Sequence, residues 1–350
     1  MEETQPSIER ARVRRSGGVK PLAFIASLLV IAFMAGVLGL ILGSVLGGAG
    51  SGSSPSGLQE KLVDGKAEAN KKIAAIPIQG VIMESMGAGP GTVTQVKRTL
   101  KAIKKDEDVV GVLLVVDTPG GGVTASDRIY HDILEFKKET GLPVHSVFLD
   151  VAASGGYYVA MASDHITAHP TTVTGSIGVI SKFFNFTEAM DKVGVSVNVV
   201  KSLNSQGEVS FKDIGSPYRP MREEERELLQ NLITEMWERF ASVVADGRQG
   251  KLTAEQVKEL ADGRVFTGSQ ALELKLVDAV GYSDDAYAEI HKAAQAEDAK
   301  IVSFQKEPGL AQLLGFSVSH QDFDLNNLSQ VGQLLRTQSG FFYLWSAGGL

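Results

Sequence analysis

Three glycine-rich turns follow apolar runs of the chain and contain residues that could do chemistry. They are Asp117–Gly122, Ala153–Tyr158 and Thr174–Val179. In an open α/β sheet, ligands bind beyond the carboxyl ends of the strands, and glycine lets backbone N–H groups approach a ligand closely. Gly120–Gly122 could therefore supply an oxyanion hole, and Ser154 a hydroxyl at a helix N-terminus, where the dipole favours developing negative charge. The same turns could also be simple tight turns.

A reactive serine needs a base, and two kinds of side chain are available for that role. Histidine is the usual base, and His145, His165 and His169 are near Ser154 in the sequence, but no local spacing singles out any of them. A lysine that burial keeps neutral is the other route. Lys212 lies in a loop-like segment without helical or strand periodicity, and its spacing alone favours an ordinary solvated charge.

The composition of the 350-residue chain excludes several other kinds of site. The formal net charge is −7, and no basic stripe with interleaved aromatic residues is present, which argues against a nucleic-acid partner. There are no cysteines, so disulfides, thiolate metal sites and a cysteine nucleophile are excluded. The six histidines lack the spacing of a metal site. We therefore expect neither a metal nor a cofactor.

Apolar runs alternate with amphipathic stretches through the body of the chain. The pattern predicts a strand pair or a bent strand at Ile73–Met83 and strands at Val109–Val116 and Val144–Val151. It predicts helices at Val93–Lys105, Ala125–Thr140, within Ala152–Met161, at Glu223–Asp246 and at Thr253–Leu260. Continuous apolar strands are typical of a buried parallel sheet, and strand–helix alternation is typical of a parallel α/β fold. We therefore predict an α/β fold.

The N-terminal segment has the pattern of a membrane anchor. Five basic residues within the first 20 positions precede Leu22–Leu46, which is almost wholly apolar and long enough to cross a bilayer as a helix. The basic flank is expected in the cytoplasm, which places the rest of the chain on the other side of the membrane. Small residues near Gly47–Ala49 leave open a cleaved signal peptide.

These patterns divide the chain into five parts. We predict a basic cytoplasmic N-terminus at 1–20, a single transmembrane helix at 21–46, a Gly/Ser-rich linker at 47–72, a catalytic domain at 73–305 and a C-terminal extension at 306–350. The extension has no assignable pattern, although Phe341, Phe342, Tyr343 and Trp345 cluster near its end. It could belong to the core, to a contact between protomers or to a membrane-facing tail.

Several motifs, in this order along the chain, resemble those of the signal peptide peptidase A serine peptidases in their half-length form. The resemblance covers roughly Ile73 to Gly281 and includes the N-terminal anchor. The matching pieces are Asp117–Val123, Ala152–Tyr158, Thr174–Ile180, Lys212–Pro217, and Gly263–Gly268 followed by Ala271–Leu272 and Leu276–Asp278. The combination is specific, whereas any one piece alone would not be.

The resemblance implies a Ser–Lys dyad on a crotonase/Clp-protease-like α/β fold. By motif position, it implies Ser154 as the nucleophile, Lys212 as the general base and Ser176 as the hydroxyl that orients the lysine amine. It also implies that Gly121 and Gly155 contribute to the oxyanion hole. A lysine amine ordinarily has a pKa near 10.4, so removal from water must lower that pKa before the amine works as a base near neutral pH.

Two departures from the family pattern keep alternatives open. The approach to Lys212, Ser202–Ser210, is longer than is usual, and Lys201 is a competing lysine that lacks the motif after it. His169 lies where a histidine is not typical of the family. Because Clp-type peptidases use a histidine base, a Ser154–His169 pair remains a second hypothesis.

The resemblance implies an oligomeric membrane peptidase that hydrolyses cleaved signal peptides or similar apolar peptides. The expected partners are peptide substrates, the membrane and further copies of the chain. One alternative is a related Ser–Lys protease that acts on membrane or misfolded proteins. Others are an acyl-CoA enzyme of the crotonase type and a scaffold without catalysis.

Overall fold

A computed structural model describes residues 58–86, 89–207, 210–306 and 342–344. The predicted cytoplasmic N-terminus, the predicted transmembrane segment 21–46 and most of the C-terminal extension lie outside these ranges. Within the described ranges, no helix combines the length and the apolar character that crossing a bilayer requires.

Strands and helices alternate along the described residues. The strands are β1 (Leu58–Asp64), β2 (Lys72–Gln79), β3 (Ser85–Met86), β4 (Gly89–Pro90), β5 (Val109–Thr118), β6 (Gly120–Gly122), β7 (Val144–Ala153), β8 (His165–Ala168), β9 (Val173–Gly175), β10 (Val265–Thr267), β11 (Ala279–Val280), β12 (Lys300–Lys306) and β13 (Phe342–Leu344). The helices are α1 (Thr92–Ile103), α2 (Val123–Thr140), α3 (Gly155–Ala160), α4 (Thr187–Lys192), α5 (Glu223–Gly247), α6 (Ala254–Leu260), α7 (Gly268–Glu273) and α8 (Ser283–Ala294).

The main sheet is largely parallel and has the order β1-β12-β2-β5-β7-β8-β11. Strand β9 also pairs in parallel with β7, beyond the point where β8 ends, and β10 pairs antiparallel with β9. Among the described strands of this sheet, β1 is antiparallel to β12, while β12, β2, β5, β7, β8 and β11 pair in parallel. The carboxyl ends of β5, β7 and β9 therefore meet at one edge.

Side chains on both faces of the sheet are buried. Along β2, Ala74 and Ile76 belong to a large apolar cluster that includes residues of α1, α2 and α5. Ile73 and Ala75 point the other way, into a smaller cluster closed by Ala286 and Ile290 of α8 and its neighbours. Because successive strand residues alternate between faces, a sheet that is covered on both sides needs continuous apolar strands, as the sequence has.

The α/β prediction is confirmed, and the predicted elements agree with those observed to within a few residues at each end. Thr253 caps α6: its hydroxyl accepts from Gln256 N, and the Gln256 side chain accepts from Thr253 N. One difference is that Leu58–Asp64, within the predicted linker, forms β1. Its side chains are mostly exposed, so it lacks the apolar pattern by which strands are recognised.

A buried ion pair joins the end of α5 to the loop before β11. The Arg248 side chain is only 2% exposed, and its guanidinium donates two hydrogen bonds to the Asp278 carboxylate, at 2.8 and 3.0 Å. Arg248 Nε donates to the Lys275 carbonyl (2.8 Å), and Asp278 accepts from the main-chain N–H of Ile166 in β8 (2.9 Å). This network anchors one edge of the sheet to the helical layer.

We expect Asp278→Asn to lower the free energy of unfolding by about 3–5 kcal/mol, because the Arg248 charge would stay buried without its counter-ion. Chemical denaturation at pH 7 measures this change. The matched control is Glu139→Gln, which removes a pair with Lys104 in which both side chains are exposed, at 40% and 50%. The control should cost less than about 1 kcal/mol. Equal losses in the two variants would contradict the role assigned to the buried pair.

The same pair predicts how this loss depends on pH. Burial alone raises the pKa of Asp278, but hydrogen bonds from Arg248 and Lys251 outweigh it and lower that pKa to about 2 in the folded protein. The unfolded chain therefore takes up the proton first, and the stability from Asp278 is present above about pH 4 and is lost toward pH 2. The difference in unfolding free energy between wild type and Asp278→Asn should shrink over that range. A difference that stays constant from pH 5 to pH 2 would contradict the assignment.

Candidate active site

Ser154 lies at a sharp turn between β7 and α3. Its φ of 55° and ψ of −116° fall in a region that a non-glycine residue adopts only at a cost of about 1–3 kcal/mol. Two hydrogen bonds hold the turn: Ser154 N donates to the Gly175 carbonyl (2.8 Å), and the Ser154 carbonyl accepts from Tyr158 N (2.9 Å). Such strain persists only where the surroundings enforce it, and it is concentrated at functional sites.

The hydroxyl of Ser154 is buried without a hydrogen-bond partner among the described residues. A buried hydroxyl left unpaired costs about 1–3 kcal/mol, so such groups in native structures need an explanation. A nucleophile that bonds only once substrate and base are in place is one such explanation.

The glycines predicted to form an oxyanion hole lie directly beside Ser154. A Cβ on Gly155 would sit 2.5 Å from the Ser126 hydroxyl and 3.1 Å from the main-chain nitrogen of Gly121. Strand β6 thus passes so close to the start of α3 that only bare backbone fits. This packing brings the amide of Gly121 next to Gly155, whose own amide directly follows Ser154 in the chain.

Hydrogen bonds of the neighbouring residues fix the direction of the Gly121 amide. Ile82 N donates to the Gly120 carbonyl (2.8 Å), and Gly122 N donates to the Ile82 carbonyl (2.9 Å), so both groups face Ile82. Because main-chain groups alternate along a strand, the N–H and C=O of Gly121 face the opposite side. That side is free of Ile82 and pairs with β13, where Tyr343 lies opposite Gly121.

Ser176 is placed near Ser154 by the pairing of β9 with β7. Ala153 is opposite Gly175, so Ser154 and Ser176 each come one residue after the last pair of these strands. Ser176 also has a positive φ, of 50°, and its N–H donates to the Arg264 carbonyl (2.8 Å). The structure therefore brings together four of the five predicted site residues.

Lys212 is the predicted site residue that is not in contact with the others. It is exposed in the segment between α4 and α5 and has no hydrogen bond or ion pair with any described residue. The adjacent Asp213 binds Lys201 (2.5 Å) and Arg219 (2.9 Å), and hydrogen bonds from Arg219 and then Lys201 hold the pKa of this carboxyl well below its usual range. The competing lysine, Lys201, is therefore engaged by Asp213.

The three histidines near Ser154 in the sequence have other surroundings. His169 Nδ1 shares a hydrogen bond with the Thr171 hydroxyl (2.9 Å), and its ring meets Tyr282 edge-on with centroids 4.6 Å apart. His145 and His165 lie side by side with centroids at 5.3 Å; burial and then the neighbouring His165 lower the pKa of His145 to about 4. None of these rings is hydrogen-bonded to Ser154.

Two residues that support the glycine turn escaped the sequence reasoning. Thr118 donates to the Gly80 carbonyl and accepts from Gly120 N (3.0 Å), and Ser126 donates to the Gly122 carbonyl (3.0 Å). Thr118 falls within the first glycine-rich motif and could have been found there. Nothing in the sequence distinguishes Ser126 from an ordinary serine in a helix.

Comparisons with known proteins show similarity to peptidases. The family model described as peptidase family S49 matches residues 136–297, a range that includes Ser154, Ser176 and Lys212. The chain is 37% identical over 254 residues to a protein of Enterococcus faecium named signal peptide peptidase SppA, covering 71% of each chain. It is 41% identical to a Synechocystis protein named as a protease (63% of this chain, 74% of that one) and 34% identical to one from Methanocaldococcus jannaschii (71% and 80%).

The strained turn predicts an unusual order of stability. Because glycine adopts the backbone of residue 154 without strain, Ser154→Gly should be more stable than Ser154→Ala by about 1 kcal/mol. Thermal or chemical unfolding of the two variants measures the difference. The matched control is Ser126, a buried serine in α2, where glycine should be less stable than alanine by about 1 kcal/mol. If the glycine and alanine variants had the same order of stability at both positions, the backbone strain assigned to Ser154 would be contradicted.

Proposed function

Because the chain belongs to the signal peptide peptidase A family of serine peptidases, peptidase family S49, we propose that it hydrolyses peptides with Ser154 as nucleophile and Lys212 as general base. The observation that carries the proposal is the buried, unpartnered Ser154 hydroxyl at a strained turn beside the amide of Gly121. This combination fits acyl transfer, in which a hydroxyl attacks a carbonyl and main-chain N–H groups stabilise the resulting oxyanion.

The proposed reaction has two stages. Ser154 Oγ attacks the scissile carbonyl while the neutral Lys212 amine takes its proton, and the N–H groups of Gly121 and Gly155 stabilise the oxyanion. Lys212 then gives that proton to the departing amine, which leaves an acyl ester on Ser154. Water attacks the ester with Lys212 again as base, and the acid product leaves with Ser154 regenerated. Ser176 would hold the lysine amine.

Lys212 has to be desolvated for this role, and its surroundings favour cover by further protein. The segment around it exposes large apolar side chains at Ile180, Phe183, Phe184, Phe186, Val193, Val195, Val197, Val199, Val200, Leu203, Phe211 and Tyr218. Contiguous exposed apolar surface of this kind is typical of protein–protein contacts. We propose that another copy of the chain covers it, and that the lysine serves the serine of its own or of a neighbouring protomer.

The proposed substrates are cleaved signal peptides or similar apolar peptides. The name of the Enterococcus faecium relative and the apolar run at 21–46 support this proposal. In it, residues 1–20 are cytoplasmic, 21–46 form a single-pass anchor in the cell membrane, and the peptidase domain from about residue 73 to 305 is extracytoplasmic. Anchoring would keep the enzyme near peptides released into the bilayer. A related activity on membrane or misfolded proteins is the second candidate.

Substitution of the proposed dyad should abolish hydrolysis of an apolar fluorogenic peptide by the full chain in detergent. We expect Ser154→Ala and Lys212→Ala each to lower kcat/KM by about 10,000-fold. Lys212→Arg should be equally inactive, because a guanidinium is not deprotonated in proteins. His169→Ala should stay within about threefold of wild type, as should Lys192→Ala, the matched control at an exposed lysine of α4.

Three results would count against this assignment. An inactive His169→Ala together with an active Lys212→Ala would transfer the role of base to histidine. An active Ser154→Ala would remove the nucleophile from the proposal. A wild type that hydrolyses no peptide would favour a scaffold or acyl-CoA chemistry on the same fold.

A further inference from the structure

Two arginines engage the residues on either side of Lys212. Arg219 Nε donates to the Asp213 carboxylate (2.9 Å), and another nitrogen of the same guanidinium donates to the main-chain oxygen of Asp213 (3.2 Å). On the other side, the guanidinium carbon of Arg222 lies 5.0 Å from the centre of the Phe211 ring, which is a cation–π contact. The chain is therefore held immediately before and immediately after the proposed general base.

Both arginines bind the same buried carboxylate, that of Glu225 in the first turn of α5. Arg219 donates to both carboxylate oxygens, to one of them at 2.9 Å. Arg222 donates to one oxygen through its guanidinium (2.8 Å) and to the other through its main-chain N–H (3.0 Å). Glu225 is 0% exposed, whereas the adjacent Glu223 and Glu224 are both exposed. One carboxylate of this acidic triplet thus points into the protein and gathers the two arginines.

The charge of Glu225 is fully compensated by its partners. A buried carboxylate is costly to remove from water and is retained only where such partners are in place. Hydrogen bonds from Arg219 and then Arg222 outweigh burial and lower the pKa of Glu225 to about 2, so the carboxylate stays ionised near neutral pH. Because a planar guanidinium has donors in fixed directions, Arg219 bridges Glu225 and Asp213 with a defined geometry.

The main chain around Lys212 forms a turn that these side chains hold. Ile214 N donates to the Phe211 carbonyl (2.9 Å), and Ser216 N donates to the Asp213 carbonyl (3.0 Å). The Lys212 side chain itself is exposed. The backbone of the lysine is therefore fixed, while its long side chain is left free to reach a serine.

We propose that Glu225 is a positioning residue for the reaction. Through Arg219 and Arg222 it fixes the main chain on both sides of Lys212, and so determines where the lysine amine can reach. The inference rests on the proposed function, in which Lys212 is the base. Because catalysis needs the reacting groups to be closely aligned, and because the lysine acts in the chemical step, a loosened turn should lower kcat much more than it raises KM.

The kinetic test makes the same substitution at two adjacent residues of the full chain. Glu225→Gln should lower kcat for the apolar fluorogenic peptide about 100-fold and leave KM within about twofold, as a small misplacement of a catalytic group does. Glu224→Gln, at the exposed neighbour, should leave both within about twofold. Asp278→Asn, which removes a buried carboxylate elsewhere, should keep kcat at a temperature where thermal unfolding shows each variant folded. Equal losses of kcat in Glu225→Gln and Asp278→Asn would overturn the positioning role.

A second variant tests the bridge through Arg219 and keeps its positive charge. Arg219→Lys should lower kcat about 30-fold, because a single ammonium cannot reproduce the guanidinium fork between Asp213 and Glu225. Added to Glu225→Gln, it should cost no more than about a further twofold, since both substitutions break the same linkage. Losses that multiply in the double variant would show that the two residues act independently, and would overturn the linkage.

A spectroscopic experiment separates this inference from the peptidase proposal. Because the chain has no cysteine, Lys212→Cys in the full chain takes a single nitroxide spin label, whose EPR line shape reports the motion of the turn. Adding Glu225→Gln should shorten the rotational correlation time of that label about twofold, and should leave a label at Lys192→Cys on α4 unchanged. Unchanged motion at residue 212 would overturn the positioning role. Increased motion at residue 212, together with a wild type that hydrolyses no peptide, would support the fixing of the turn and count against the peptidase proposal alone.

Discussion

Close packing against the bare backbone of three glycines is the constraint on which the candidate site depends. A Cβ on Gly121 would overlap the carbonyl oxygen of Ile82, one on Gly155 would press on Ser126, and one on Gly175 would lie 2.7 Å from the ring of Phe266. Each glycine therefore allows a neighbouring group, which is main chain at Gly121 and a side chain at Gly155 and Gly175, to approach more closely than a Cβ would permit. The turn of Ser154 is set between these contacts, so its strained backbone is enforced from both sides. This makes the serine a rigid feature of the fold.

Packing of the main sheet supplies the free energy that maintains the strained backbone of Ser154. Its strands are covered on both faces, and the buried Arg248–Asp278 pair ties α5 to the edge at β8 and β11. A local cost of a few kcal/mol at Ser154 is small beside the burial of so many apolar side chains. The parallel arrangement also puts the carboxyl ends of β5, β7 and β9 together, which is why three separate glycine-rich motifs meet at one place.

The sequence was informative where local pattern determines structure. Periodicity predicted the strands that end at Thr118 and Ala153, and the second glycine-rich motif placed Ser154 directly after the later one. Prediction from the sequence failed where the contact that determines the structure joins residues far apart in the chain, or where the apolar pattern of a strand is weak. The edge strand β1 is mostly exposed and reads as a polar linker, and the pairing of Tyr343 with Gly121 joins residues more than 200 positions apart. No local rule anticipates a contact of that kind.

The two halves of the proposed dyad differ in physical character, and that difference bears on when the enzyme acts. The serine half is buried and held rigidly, whereas Lys212 is exposed on a segment with much apolar surface. A lysine in water keeps its proton near neutral pH and cannot act as a base. In the proposed mechanism, activity therefore requires an event that removes Lys212 from water, and burial of the apolar segment by another copy would do so. In that mechanism a single chain with Lys212 in water would be idle, and assembly would determine when the enzyme acts.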